Sequence, residues 1–168
     1  MSADGAPDGV VIRDGTDADS AAVIALIALC WSTYPGVVLD VDRDEPGLRR
    51  VAGHFHALGG GFWTAWRGPT LCGTVGYAFN APTRTVELLK LYVRPEERRG
   101  GLGRRLTRLV EDAAEARGAA RIELWTDTRF ETAHRFYAGL GYDKTGETRD
   151  LDDLSRSREF RFVRLVGP

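Results

Sequence analysis

The segment VELLKLYVRPEERRGGLGRRL, from Val86 to Leu106, constrains this chain more than any other. Apolar residues fill a strand-like stretch from Val86 to Arg94. A proline and the glycines Gly100, Gly101 and Gly103 then break it, and Leu102, Leu106, Leu109, Val110 and Ala113 recur at helical spacing. The pattern predicts a buried strand that turns directly into an amphipathic helix. The first turn of such a helix has backbone N–H groups without partners, and its aligned peptide dipoles place about half a positive charge there. Glycines keep side chains away from those donors, so an anion can reach them. Arg98, Arg99, Arg104 and Arg105 crowd the same positive end, where acidic residues are the usual choice. That concentration of charge calls for a ligand carrying several negative ones.

The rest of the composition makes this basic cluster a local device. With 168 residues and a net charge of -1, the chain does not have the balance of a general polyanion binder, and no nucleic-acid partner is expected. Its length suits one domain that buries about two-thirds of its unfolded surface. Cys30 and Cys72 lie in apolar contexts outside any CxxC pair and read as reduced core thiols. His54 and His56, two residues apart on a helical segment, point to different faces, and no metal site is expected. No apolar run reaches membrane-spanning length, and MSADGAPDG lacks the basic start and apolar middle of a signal peptide. The expectation is a cytoplasmic protein without membrane association, with a disordered arm over residues 1–9 and a single domain over 10–168.

Val10 to Ile12 reads as a short strand, and Thr16 with Asp19 as the start of a helix through AAVIALIALCW. Leu48 to Leu58 predicts a second helix. Phe62 to Arg67 and Gly73 to Asn80 read as an antiparallel pair, followed by the strand–turn–helix described above, which Gly118 ends. Arg121 to Thr126 alternates, with Ile122 and Leu124 on one face and Glu123 and Trp125 on the other. Thr128 and Glu131 suggest a capping box for a short helix through Tyr137, and Thr145 to Thr148 and Glu159 to Val166 close the chain as strands. The order is that of an α/β domain with a mixed sheet.

Three ligand classes fit a glycine-rich junction of this kind. A P-loop needs GxxxxGK[ST], and no lysine followed by serine or threonine comes after these glycines. A dinucleotide fold needs GxGxxG, and Leu106 stands where the third glycine belongs; Glu123, about 20 residues on, is weak support for it. The third form, a pyrophosphate cradle Arg/Gln-x-x-Gly-x-Gly, is met by Arg98, Gly101 and Gly103.

With the strand ending LYV, the PEERRGGLG turn, the strand IELWT and the segment AHRFYAGLGY in this order, the chain resembles the GCN5-related N-acetyltransferase (GNAT) superfamily over residues 10 to 166. The resemblance implies a mixed, mostly antiparallel central sheet splayed at the fourth strand, with helices on both faces. It implies an acetyl-CoA-dependent N-acetyltransferase in which a small-molecule or peptide amine attacks the thioester directly. The alternative is a non-catalytic acyl-CoA-binding regulatory module. Both monomer and homodimer are compatible with it.

Carried over position by position, the resemblance puts the pantetheine arm of the donor on the backbone of Leu91 and Val93, with the Leu91 amide facing the thioester carbonyl. The pyrophosphate falls on the N–H groups of Arg98, Arg99, Gly100, Gly101, Leu102, Gly103 and Arg104, and Arg99 or Arg105 reaches the adenosine phosphate. Tyr137 matches the tyrosine that faces the sulfur and can give the departing thiolate a proton. Glu87 stands where histone-type members carry a general base. Strand alternation puts it on one face with Leu89, Leu91 and Val93, where partial burial would raise its pKa. Phe130 replaces an asparagine that contacts the cofactor in many relatives, so that contact is not transferred. His134 reads as a helix-surface residue. The acidic stretches Val37 to Glu45 and Arg149 to Asp153, with Trp31, Tyr34, Trp63 and Trp66 as aromatic walls, suggest a cationic amine as acceptor.

Overall fold

The computed structural model describes residues 9–167, so all but Gly9 of the expected N-terminal arm lies outside the described residues. The elements are β1 (Val11–Asp14), α1 (Ser20–Trp31), α2 (Val41–Asp44), α3 (Val51–Ala57), β2 (Gly61–Arg67), β3 (Thr70–Asn80), β4 (Thr85–Val93), α4 (Leu102–Ala116), β5 (Arg121–Asp127), α5 (Glu131–Gly139), β6 (Asp143–Asp150) and β7 (Arg158–Leu165). The strands form one sheet in the order β1-β2-β3-β4-β5-β7-β6. Every neighbouring pair is antiparallel except β4 and β5, which run parallel because α4 carries the chain back across the sheet between them.

Helices cover both faces. On one, Leu102, Leu106, Val110 and Ala114 of α4 pack on Val75, Val86, Leu88, Ile122 and Leu124, which makes the helical spacing of those leucines the inner stripe of the core. On the other, Val23, Leu26 and Ile27 of α1 meet Val51 and Phe55 of α3 over Phe62 and Leu71. Gly76 lets this second layer close, since a Cβ there would come within 2.7 Å of the Phe55 ring.

Two helix starts differ from the sequence reading. The stretch read as one helix from Leu48 to Leu58 divides into a 3-10 turn, Pro46–Arg50, and α3, with Arg50 leaving the helical path at φ -138° and ψ 67°. The break lets side chains at the start of α1 cap α3: Val51 N–H donates to Ser20 Oγ at 3.1 Å and Gly53 N–H to Asp17 Oδ1 at 2.9 Å. The expected capping box of Thr128 and Glu131 is absent. Phe130 holds the N-cap of α5 without a side-chain cap, and Asp127 instead accepts from the Arg129 backbone and guanidinium.

The feature that positions the site is a bulge in β4. Thr74 pairs with Tyr92 and Gly76 with Leu89, so Val75 faces one residue too many, and Lys90 takes up the excess at φ +54°. An inserted residue reverses the alternation beyond it. Leu89 and Tyr92 therefore pack in the α1–α3 layer, whereas Leu91 and Val93 pack in the α4 layer. The expectation that Glu87, Leu89, Leu91 and Val93 share one face is corrected by this bulge.

Candidate active site

Strands β4 and β5 pair only at Thr85–Arg121, Val86–Ile122 and Glu87–Glu123. Beyond Glu87 they part, and the gap is a cleft of about 330 Å³ walled by β4 from Glu87 to Tyr92, β5 from Leu124 to Asp127, and Tyr137 of α5. This is the splay expected at the fourth strand.

The backbone of β4 is aimed into that gap by bonds on its other side. Thr74 Oγ1 donates to the Lys90 carbonyl at 2.8 Å, which turns this carbonyl toward β3. In a trans peptide the next N–H points the opposite way, so Leu91 N–H faces the cleft. By the same logic the Arg94 N–H, bonded to Cys72 O at 2.7 Å, sends the Val93 carbonyl outward. Arg98 Nε donates to that carbonyl at 3.2 Å, so the Val93 acceptor is already engaged while the Leu91 N–H, a donor, is directed into the gap.

The glycine turn keeps its donors open. Arg98 N–H closes a turn onto Pro95 O, so the cradle starts one residue later than expected. Arg99 and Gly101 both adopt positive φ, +73° and +83°, and α4 begins at Leu102. Arg105 N–H makes the first helical bond, to Gly101 O, so the N–H groups of Leu102, Gly103 and Arg104 have no carbonyl a turn behind them. A Cβ on Gly101 would meet nothing within 4 Å, whereas one on Gly103 would press on Phe136 at 3.3 Å. Gly101 opens the cradle and Gly103 lets α4 sit close to α5. The residues present fit a diphosphate: unpaired N–H groups, free space and the exposed Arg99 and Arg104.

Tyr137 is buried on α5 and lines the cleft. Burial first, and then the neighbouring Tyr142, raise its pKa, so the phenol keeps its proton at neutral pH. Glu87 is half-buried at the fork of the splay. Burial raises its pKa; Arg149 and Lys90 oppose the rise, and Glu123 and Glu159 add to it. Of the acidic side chains on the cleft wall, Glu45 pairs with Lys90 at 2.8 Å, Asp127 with Arg129 at 2.7 Å and Glu159 with Arg149 at 2.7 Å, while Asp153 binds Ser157. Glu87 has no such partner among the described residues. Its burial without a bound cation is what leaves it able to take up a proton.

Residues 23–142 match the model of the acetyltransferase (GNAT) family. The chain belongs to the GNAT family. It is 33% identical over 121 residues to N-acetyltransferase 8B of Rattus norvegicus, covering 70% of this chain and 53% of that one. To N-acetyltransferase 8 of the same species it is 32% identical over 142 residues, covering 82% and 62%. The chain thus spans a little over half the length of these relatives. Among solved structures, a GNAT acetyltransferase of Staphylococcus aureus Mu50 aligns with a TM-score of 0.80 at 21% identity, over 94% of this chain and 99% of that one. YncA of Salmonella typhimurium, solved with its cofactor acetyl-CoA, aligns with a TM-score of 0.70 at 18% identity, over 95% of each chain. These likenesses show the GNAT fold.

Within this GNAT fold the remaining candidates separate. Trp31 lines the cleft, donating its Nε1–H to Tyr92 Oη at 3.1 Å, whereas Tyr34 does not line it and packs behind the lining residue Phe130 at 4.7 Å. Trp63 and Trp66 do not line it either: they lie on β2, two strands from β4, where Trp63 stacks on Tyr77 and Trp66 meets Arg13. His134 is not a surface residue. Its Nε2–H donates to Asp127 O at 2.8 Å, and its ring packs on Phe160 and Phe162. His54 and His56 are exposed on α3, and Cys30 and Cys72 are buried free thiols. No helix among the described residues is long and apolar enough to cross a membrane.

The sequence reading missed Lys90, Trp125 and Glu159 as cleft residues and included Arg149 only as the first residue of an acidic stretch. Arg149 lies 4.3 Å over the Trp125 ring while bonding Glu159, an arrangement of three strands with no local signature in the chain.

Proposed function

We propose that this protein is an acetyl-CoA-dependent N-acetyltransferase, carried by one domain over residues 10–168, that transfers an acetyl group to a cationic amine. The observation that carries the reading is the splay itself. An unpaired strand edge at Leu91 leads to a glycine-opened helix start, which suits a ligand with an amide-bearing arm at one end and a diphosphate at the other. In the same cleft stand one unpaired carboxylate and one protonated phenol.

On this reading the arm of acetyl-CoA lies along β4, and its diphosphate meets the N–H groups from Arg99 to Arg104, with Arg99, Arg104 or Arg105 near the adenosine phosphate. The Leu91 N–H meets the charge that develops on the thioester oxygen. The ammonium of the acceptor enters against Glu87, which takes its proton directly or through water and frees the nitrogen lone pair. A C–N bond forms as the C–S bond breaks, the thiolate receives a proton from Tyr137, and the second proton that the nitrogen loses restores the phenol through water. The balance is one amide, one thiol and one proton released for each ammonium consumed. The excess of carboxylates on the cleft wall favours a cationic acceptor over an anionic one.

Thiol release from acetyl-CoA, followed alongside the mass of the acceptor, tests this reading across polyamines, arylalkylamines, amino acids and peptides. Acetylated amine matching the released thiol is expected. Tight acetyl-CoA binding without release across the panel would instead make the protein a non-catalytic acyl-CoA-binding module.

A further inference from the structure

The mouth of the cleft carries exposed apolar surface that the chemistry within it does not use. Val38, Leu151 and Leu154 are 47%, 38% and 47% exposed, and they come from the two loops that roof the site. These loops are stitched together: Val38 N–H donates to Ser155 Oγ at 2.7 Å, and that hydroxyl donates to Val38 O at 3.0 Å. Leu154 N–H donates to Asp44 Oδ2 at 3.1 Å and Leu151 N–H to Ser157 O at 2.8 Å. The rim is therefore held in place, and it is continuous with the cleft, because Val37 and Leu151 also line the interior.

Inside, the charges are unequal in availability. Lys90 and Arg149, the basic side chains on the wall, are bonded to Glu45 and Glu159, and Arg149 is further covered by Trp125. An acceptor carboxylate would find no uncommitted cation on this wall among the described residues, while an ammonium would find Glu87. Charge complementarity within and apolar surface at the mouth point to one kind of molecule.

We propose that the acceptor is an amphipathic amine: a single cationic head without a carboxylate, seated by Glu87, and an apolar body that leaves the cleft over Val38, Leu151 and Leu154. This deepens the acetyltransferase reading and rests on it. A straight n-alkyl monoamine series isolates the apolar term, since the head group and its pKa stay constant from ethylamine to octylamine. A methylene fully removed from water corresponds to about a fourfold change in an equilibrium constant, so partial burial on the rim predicts roughly two- to fourfold in kcat/KM per methylene.

The test is kcat/KM for that series, with putrescine, spermidine and glycine as comparison acceptors. Rising kcat/KM with chain length, flattened in the Leu151→Ser/Leu154→Ser variant and kept in the control Leu165→Ser, is the expected result. Leu165 is 77% exposed and lies outside the cleft. Acetyl-CoA binding by thermal shift reports that each variant is folded. Turnover without a chain-length trend, a trend untouched by the rim variant, or a preference for spermidine or glycine overturns the proposal and leaves the acetyltransferase reading standing. No turnover with any amine overturns both.

Discussion

Thr74 Oγ1 donates to the carbonyl of Lys90 at 2.8 Å, across one extra residue in β4, and this bond decides where the Leu91 amide points. Lys90 pays for the arrangement with a left-handed backbone, which costs a non-glycine residue about 1–2 kcal/mol. Thr74→Val keeps the shape of the buried side chain and removes the bond. If Leu91 N–H meets the developing oxyanion, kcat falls about ten- to a hundredfold while KM for acetyl-CoA changes little. Steady-state kinetics on both substrates separates this from a general loss of fold.

Tyr137 makes no protein hydrogen bond through its hydroxyl among the described residues, so removing that oxygen leaves the packing of α5 intact. Tyr137→Phe is expected to lower kcat by about 10²-fold with Tm unchanged. A deficit that shrinks with donors having a more acidic thiol would identify the missing group as the proton donor to sulfur.

If Glu87 is the base, it serves only when ionised, and burial shifts its ionisation above the ordinary glutamate value. The sign follows directly: below its raised pKa the carboxyl is protonated and transfer is slow, and kcat rises with pH as the proton leaves. Glu87→Gln should lower kcat and abolish that rising limb. The pH profile of both proteins, with an acceptor of fixed pKa, is the measurement.

Gly101 sits at φ +83° with open space where a side chain would go. Gly101→Ala costs about 1 kcal/mol from the backbone alone and places a methyl group in the open space at the start of α4, where a bound diphosphate would approach. We expect a small fall in Tm, a several-fold rise in KM for acetyl-CoA and little change in kcat. Thermal unfolding and donor titration check both parts.

What could be read from the chain was what periodicity encodes. The strand–turn–helix from Val86, the stripe of Leu102, Leu106 and Val110, and the alternation of Ile122 and Leu124 against Glu123 and Trp125 all appear as their spacing required. The faces of Leu91 and Val93 could not be read, because the inserted residue is a lysine rather than a glycine and its partner Thr74 lies on another strand. Trp63 and Trp66 looked like neighbours of the site only because chain proximity says nothing about which strand lies next to β4. His134 faces inward because β7, about 25 residues further on, supplies Phe160 and Phe162 to receive it.

Direct transfer within the splay leaves its mark on the fate of the acetyl group in a single turnover. Enzyme in excess is mixed with acetyl-CoA and amine and quenched, and the masses of protein and acceptor are measured together with the free thiol. Direct transfer puts acetyl on the amine, mole for mole with thiol, and none on the protein. Acetyl accumulating on the protein, for instance on Cys30 beside Val93, or bound acetyl-CoA that releases no thiol, would contradict it.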